Sequence, residues 1–197
     1  MRRIRILALL CLLAPCWALA QQDQPANGLL LVAKPSLADP NFSRTVVLVT
    51  QVEDGGTVGV ILNRPTVLKL TDFLSEEFET RNYTDRIYFG GPVMRQVLVV
   101  LFRAQQKPAA PAFHVLRNVY LTMHPDNITA LLADKAARYR VYAGFSGWAP
   151  NQLESEFMRD GWYFLPADEA TLFRKDTEGM WDELLERARK ADPRGRS

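Results

Sequence analysis

Four residues, Glu53-Asp54-Gly55-Gly56, set the tightest limit on what this chain can fold into. They separate two aliphatic, β-branched runs at 45–52 and 57–62. Asp-Gly supplies the positive φ angles that a tight hairpin demands. The two runs must therefore be antiparallel neighbours, because so short a turn leaves no room for a crossover helix.

Read the same way, the rest of the chain predicts strands at 29–33, 83–89, 93–102, 113–116, 119–122, 139–145 and 161–165. Leu70, Phe73, Leu74 and Phe78 recur at helical spacing, as do Ile128, Leu131 and Leu132 after Pro125-Asp126. Leu153 and Phe157, after Pro150, predict a third helix, and Trp181, Leu184 and Leu185 a C-terminal one. Pro35, Asp39-Pro40 and Asn41 make 34–44 an irregular loop. The expected fold is α+β in a single domain: a mainly antiparallel sheet, open or barrel-like, flanked by helices.

The N-terminus has its own logic. Arg2, Arg3 and Arg5 precede an apolar stretch from Ile4 to Ala14, and Ala18-Leu19-Ala20 forms a small-x-small cleavage pattern. Residues 1–20 read as a signal peptide, 21–27 as a flexible leader, 28–190 as the domain and 191–197 as a disordered tail. The expected destination is the bacterial periplasm after cleavage at Ala20. The alternatives are lipidation at Cys16 or an uncleaved N-terminal anchor. No later stretch approaches the roughly 20 apolar residues of a membrane-spanning helix.

Cleavage removes both cysteines, Cys11 and Cys16, so the mature chain offers no thiol for a disulfide or thiolate chemistry. It also changes the charge: the 24 Lys and Arg fall by the three leader arginines to 21, against 22 Asp and Glu, for a net charge of −1. A near-neutral domain lacks the basic footprint that phosphate-backbone binding requires, so nucleic acid is not an expected partner.

Several motifs invite a catalytic reading. Gly144-Phe145-Ser146-Gly147-Trp148 approaches the Gly-x-Ser-x-Gly nucleophile elbow, but Trp148 replaces the second glycine. A strand-to-helix turn capped by Ser146 explains it better. His114 and His124 fall on different predicted elements, whereas a metal site needs three or four convergent ligands. Gly55-Gly56-Thr57-Val58-Gly59 lacks the Gly-Lys-Ser/Thr ending of a phosphate loop. The residues therefore indicate no catalytic set, no metal and no cofactor.

Four segments together carry a resemblance. They are Gly28 to Leu37 with Asp39-Pro40-Asn41-Phe42-Ser43-Arg44, then Gly59-Val60-Ile61-Leu62-Asn63-Arg64-Pro65-Thr66, then Phe89-Gly90-Gly91-Pro92-Val93, and finally Gly144 to Trp148 with Gln152-Leu153-Glu154. In this order they resemble the YqgE/AlgH family over residues 28–162. The chain departs at 94–102, where the family has a Gly-aromatic-Val-Leu-His segment, and at Ser146, where alanine is usual. The resemblance implies no cofactor and no catalytic residues. The family's label comes from a proposed regulatory role in alginate production, and an exported copy would not act on cytoplasmic DNA.

Polar residues on loops held by a rigid scaffold are the remaining candidates for binding. They are Asp39, Arg44, Asn63, Arg64, Ser146, Trp148, Gln152 and Glu154. Arg64 is expected to meet Glu154, or an anionic ligand at the start of the third helix, at one end of the sheet. The competing expectation is that Arg44 or Arg64 pairs with Asp39 or Glu154 only to tie loops together. The functional expectation is a non-catalytic binding or regulatory protein with an unidentified protein or small-molecule ligand. The alternative is a hydrolase using Ser146 or Ser43 with His114 or His124.

Overall fold

The hairpin forms as its residues require. Gly55 adopts a φ of +82°, Gly56 N donates to Asp54 Oδ1 at 2.9 Å, and Val52 N donates to Gly56 O at 3.0 Å. In this computed structural model, which describes residues 28–74 and 86–192, the turn joins β2 (Val46–Gln51) to β3 (Thr57–Ile61). The two strands are antiparallel, with Val47 opposite Ile61 and Gln51 opposite Thr57. The remaining strands are β1 (Leu29–Ala33), β4 (Tyr88–Phe89), β5 (Val93–Arg103), β6 (Phe113–Leu116), β7 (Val119–Thr122), β8 (Tyr139–Trp148) and β9 (Trp162–Pro166). The helices are α1 (Pro125–Ala133), α2 (Gln152–Met158), α3 (Glu169–Leu172) and α4 (Met180–Ala191).

The strands are ordered β6-β7-β5-β8-β3-β2-β1-β9, all antiparallel, with β4 added parallel to β8. The sheet curls, so that Gly28 N donates to Val115 O at 2.9 Å and Thr50 Oγ1 to His114 O at 3.4 Å. It stops short of a barrel, because β6 and β9 remain its two ends. The α+β, single-domain expectation holds, in its open form.

Curling explains why Leu30, Leu31, Val32 and Ala33 are all fully buried although successive strand residues point to opposite faces. α4 packs against β1 through the apolar stripe Trp181, Leu184, Leu185 and Ala188. Each large side chain so buried contributes roughly 1.5–3 kcal/mol. Trp181 also donates its indole N–H to Ala33 O at 2.8 Å, which satisfies the one polar atom that its burial would strand. On β5 the alternation is plain: Val99 and Leu101 join this core, while Leu98, Val100 and Phe102 join a second one beneath α1.

Four local expectations change. Leu70 starts a short 3-10 turn over Leu70–Asp72, which Phe73 and Leu74 follow, and Phe78 lies outside the described residues. The strand expected at 83–89 is described only at Tyr88–Phe89. The strand expected to end at 145 continues to Trp148. α3 is an element that periodicity does not reveal, being four residues long. The signal peptide, the leader and residues 193–197 lie outside the described residues.

Candidate functional site

The loop between β1 and β2 is fixed from two directions. Asp39 starts it, accepting from Asn41 N at 2.8 Å through Oδ1 and from Ser43 N at 2.7 Å through its carbonyl. The Arg64 guanidinium then reaches back to three carbonyls, Asn41 O at 2.6 Å, Ser43 O at 3.0 Å and Pro40 O at 3.1 Å. Burial pulls this guanidinium below the ordinary arginine range, and the charge of Asp39 pulls it back up. Asn63 clamps the other end, accepting from Val46 N at 2.9 Å and donating to Arg44 O at 3.0 Å. Arg44, in the left-handed region at φ 57°, lies over the Trp181 ring at 4.1 Å and pairs with Asp182 at 3.1 Å.

Arg64 therefore ties one loop to another through backbone carbonyls, and the expected pairing with Glu154 is absent among the described residues. Glu154 is exposed and its carboxylate pairs with no described residue. The two segments meet through Phe42, which the Arg64-bound loop places 5.7 Å from the rings of both Trp148 and Trp162.

Glu156, which the sequence places with Gln152 and Glu154 at the start of the helix after the Gly-Trp turn, organises this aromatic group. Its Oε2 accepts the indole N–H of Trp148 at 3.1 Å and that of Trp162 at 3.0 Å. Its Oε1 accepts from Gln152 Nε2 at 3.2 Å, while Gln152 Oε1 accepts from Ala149 N at 3.1 Å. Trp148 and Gln152 are thus parts of a joint between β8, α2 and β9. Phe157 completes it by packing edge-on to Phe164 with ring centroids 4.8 Å apart.

Ser146 is not a helix cap. It lies fully buried within β8, and its hydroxyl donates to Gly90 O at 3.0 Å. The N-cap position of α2 is Asn151, at φ 64° and without a side-chain capping bond. Ser146 belongs to a close crossing of two backbones: a Cβ on Gly90 would lie 2.1 Å from Gly144 O, and Gly144 itself has a φ of +70°. Glycine at both places accommodates the register shift at which β8, paired with β5 over Tyr139–Ala143, pairs with it again at Phe145 and takes on β3 over Ser146–Trp148. His114 stacks on Tyr120 with centroids 4.9 Å apart. His124 caps α1 by accepting from Asp126 N at 3.3 Å. Among the described residues no three His, Cys, Asp or Glu side chains cluster as metal ligands, and no helix is long and apolar enough to cross a membrane.

A cleft of about 610 Å³ opens beside the Arg64 loop. Asn63, Pro65, Arg86 and Tyr88 line one wall, and Lys175, Asp176, Thr177 and Glu178 the other. Tyr88 Oη joins the walls by donating to Lys175 O at 3.2 Å. Behind Tyr88 lies Arg140, buried, with its guanidinium 4.1 Å from the Tyr88 ring centroid. Of the eight residues that the sequence singles out, Asn63 lines this cleft; the opposite wall follows α3 and leaves no periodic pattern to read.

A curled, open antiparallel sheet with short helices, its loops locked by Asn63, Arg64 and the glycine crossing, defines the class of protein. The AlgH-like family model, DUF179, matches residues 30–191, and the chain belongs to that family. It is similar to a UPF0301 protein of Thermobifida fusca, 37% identical over 170 residues that cover 82% of this chain and 86% of the relative. It is likewise similar to one of Streptomyces avermitilis, 33% identical over 167 residues covering 83% and 86%. The solution structure of the AlgH protein from Pseudomonas aeruginosa superposes with a TM-score of 0.68 at 27% identity, over 81% of this chain and 86% of that one. A crystal structure from Corynebacterium diphtheriae gives 0.63 at 25% identity, over 83% and 87%.

Proposed function

We propose that this chain is an exported, non-catalytic binding or regulatory protein, and that its ligand occupies the cleft between Tyr88 and residues 175–178. The observation that carries the reading is the cleft itself: about 610 Å³, within the roughly 300–1,000 Å³ of small-molecule sites. Arg86, Lys175, Asp176 and Glu178 give its lining both signs of charge, which suits a small polar ligand. A protein partner is less favoured, because among the described residues the exposed large apolar ones, Leu29, Val67, Leu68, Met94 and Met158, are distributed over four segments, and single exposed apolar residues are ordinary. The hydrolase alternative through Ser146 has little support: a nucleophile must be reachable, and Ser146 is buried with its proton given to Gly90 O.

The test is isolation from the periplasm of the native bacterium, followed by intact-mass and native mass spectrometry. The reading expects a chain beginning at Gln21 with a bound small molecule that is lost from Glu178→Trp, a change that fills the cleft from an exposed position. A chain retaining Met1 or carrying a lipid on Cys16 contradicts the export step. A bound molecule retained equally by the variant contradicts the cleft.

A further inference from the structure

Tyr88 separates the cleft from two buried donors that the fold leaves without an acidic acceptor. Arg140 is 7% exposed and gives one N–H to Leu172 O at 2.9 Å and one to Leu62 O at 3.0 Å. A guanidinium carries five N–H groups, and no carboxylate among the described residues pairs with it. Its charge is offset by the rings of Tyr88 and Tyr142, at 4.1 and 5.7 Å from their centroids. The second donor is Tyr142 Oη, which is buried and has no hydrogen-bond partner among the described residues. Buried cations are ordinarily paired, and a buried hydroxyl without a partner costs about 1–3 kcal/mol. Both features point to an acceptor that the described residues do not supply.

The path to them is short. Tyr88 sits beside Tyr142 in the parallel β4–β8 pairing, with ring centroids 6.0 Å apart. What closes the way is its 3.2 Å hydrogen bond to Lys175 O, which is long for an O–H donor. We propose that the ligand of the cleft carries an oxyanion, a carboxylate or a phosphate, which displaces the Tyr88–Lys175 hydrogen bond and is bound by Arg140 and the Tyr142 hydroxyl. Arg86 and Lys175, which line the entrance, have the sign that guides it in. Asp176 and Glu178 on the far wall keep the anion to the Tyr88 side; the Asp176 carboxylate is held there by Glu178 N at 2.9 Å. This inference rests on the cleft being the binding site and adds the chemistry of what binds.

The experiment is calorimetric titration of the mature protein with inorganic phosphate and, separately, succinate, each against sodium chloride of equal ionic strength. The expected result is saturable binding of one or both anions beyond any effect of chloride; which of them binds separates a phosphoryl from a carboxylate ligand. Tyr142→Phe removes no hydrogen bond among the described residues, so it should fold with unchanged or raised Tm and bind the anion about tenfold more weakly, the order of one lost hydrogen bond to a charged group. Arg140→Gln, if it folds, should bind still more weakly, and Tyr88→Phe, which frees the entrance, at least as tightly as the parent. No binding beyond chloride, or equal affinity in Tyr142→Phe and the parent, overturns the inference. A neutral molecule found in the cleft of periplasmic protein, with no anion bound in these titrations, sinks the oxyanion and leaves the binding reading standing.

Discussion

Ser146 donates its hydroxyl to the carbonyl of Gly90 at 3.0 Å, across the point where two backbones pass closest. That carbonyl also accepts from Ile61 N at 3.0 Å, so Ser146→Ala leaves no acceptor stranded and should cost only about 0.5–1.5 kcal/mol. Gly144→Ala should cost more, at least about 2 kcal/mol, because its Cβ would meet Gly91 O and Val93 O at 2.8 Å in a backbone that side chains rarely adopt. Urea unfolding of the two variants checks the order; a larger loss for Ser146→Ala would mean that the hydroxyl does something other than brace the crossing.

Glu156 joins two tryptophans through one oxygen, and Trp162 is fully buried. Glu156→Ala strands both indole N–H groups and should lower stability by roughly 2–4 kcal/mol, whereas Glu156→Gln keeps an acceptor and should lose less than half of that. Near-ultraviolet circular dichroism should change with the alanine variant at temperatures where it is still folded. An unchanged tryptophan signal and melting curve would contradict the joint.

Arg64 holds the 39–44 loop by three carbonyls. Arg64→Ala should destabilise by about 1–3 kcal/mol, the range for hydrogen bonds to a charged group. Arg64→Lys should recover little, since an ammonium cannot reproduce the planar fork. Faster hydrogen exchange at 41–45 in the alanine variant is the direct readout. Protection as in the parent would show that the loop stands without its clamp.

Much of the fold was legible before any coordinates. The Asp-Gly turn and the aliphatic runs locate β1, β2 and β3 to within a residue or two, because side-chain alternation and turn chemistry are local. What was not legible is long-range. Arg64 binds carbonyls, which every residue possesses, so no pattern announces its targets. β8 runs three residues past the end expected at 145, because Gly144, in the left-handed region, lets it pass close to the Gly91 backbone without ending there. The function of Glu156 depends on tryptophans from two strands, and the cleft wall at 175–178 lies in the irregular segment between α3 and α4, which has no period to show.

Asp168 makes stability depend on acid. Its burial alone would raise the carboxyl above its ordinary value, but the amide and hydroxyl of Thr171 and the charge of Arg187 outweigh that and hold it lower. A folded-state value below the unfolded one means that its contribution is fully present above the unfolded value, near 3.9, and is lost as pH falls through the folded one. Asp168→Asn should therefore melt below the parent at pH 7 and approach it near pH 2. Parallel losses of Tm with acid in both proteins would contradict the assignment.

The central claim is that the cleft between Tyr88 and residues 175–178 is where this protein meets its ligand. The most direct measurement is the amide spectrum of labelled protein titrated with a small-molecule extract of the periplasm, the compartment proposed for it. The account predicts saturable shift changes confined to residues 63–66, 86–89, 140–142 and 172–178. Changes centred on the Gly90–Gly144 crossing or on the exposed face of α2, or no saturable change at all, would contradict it.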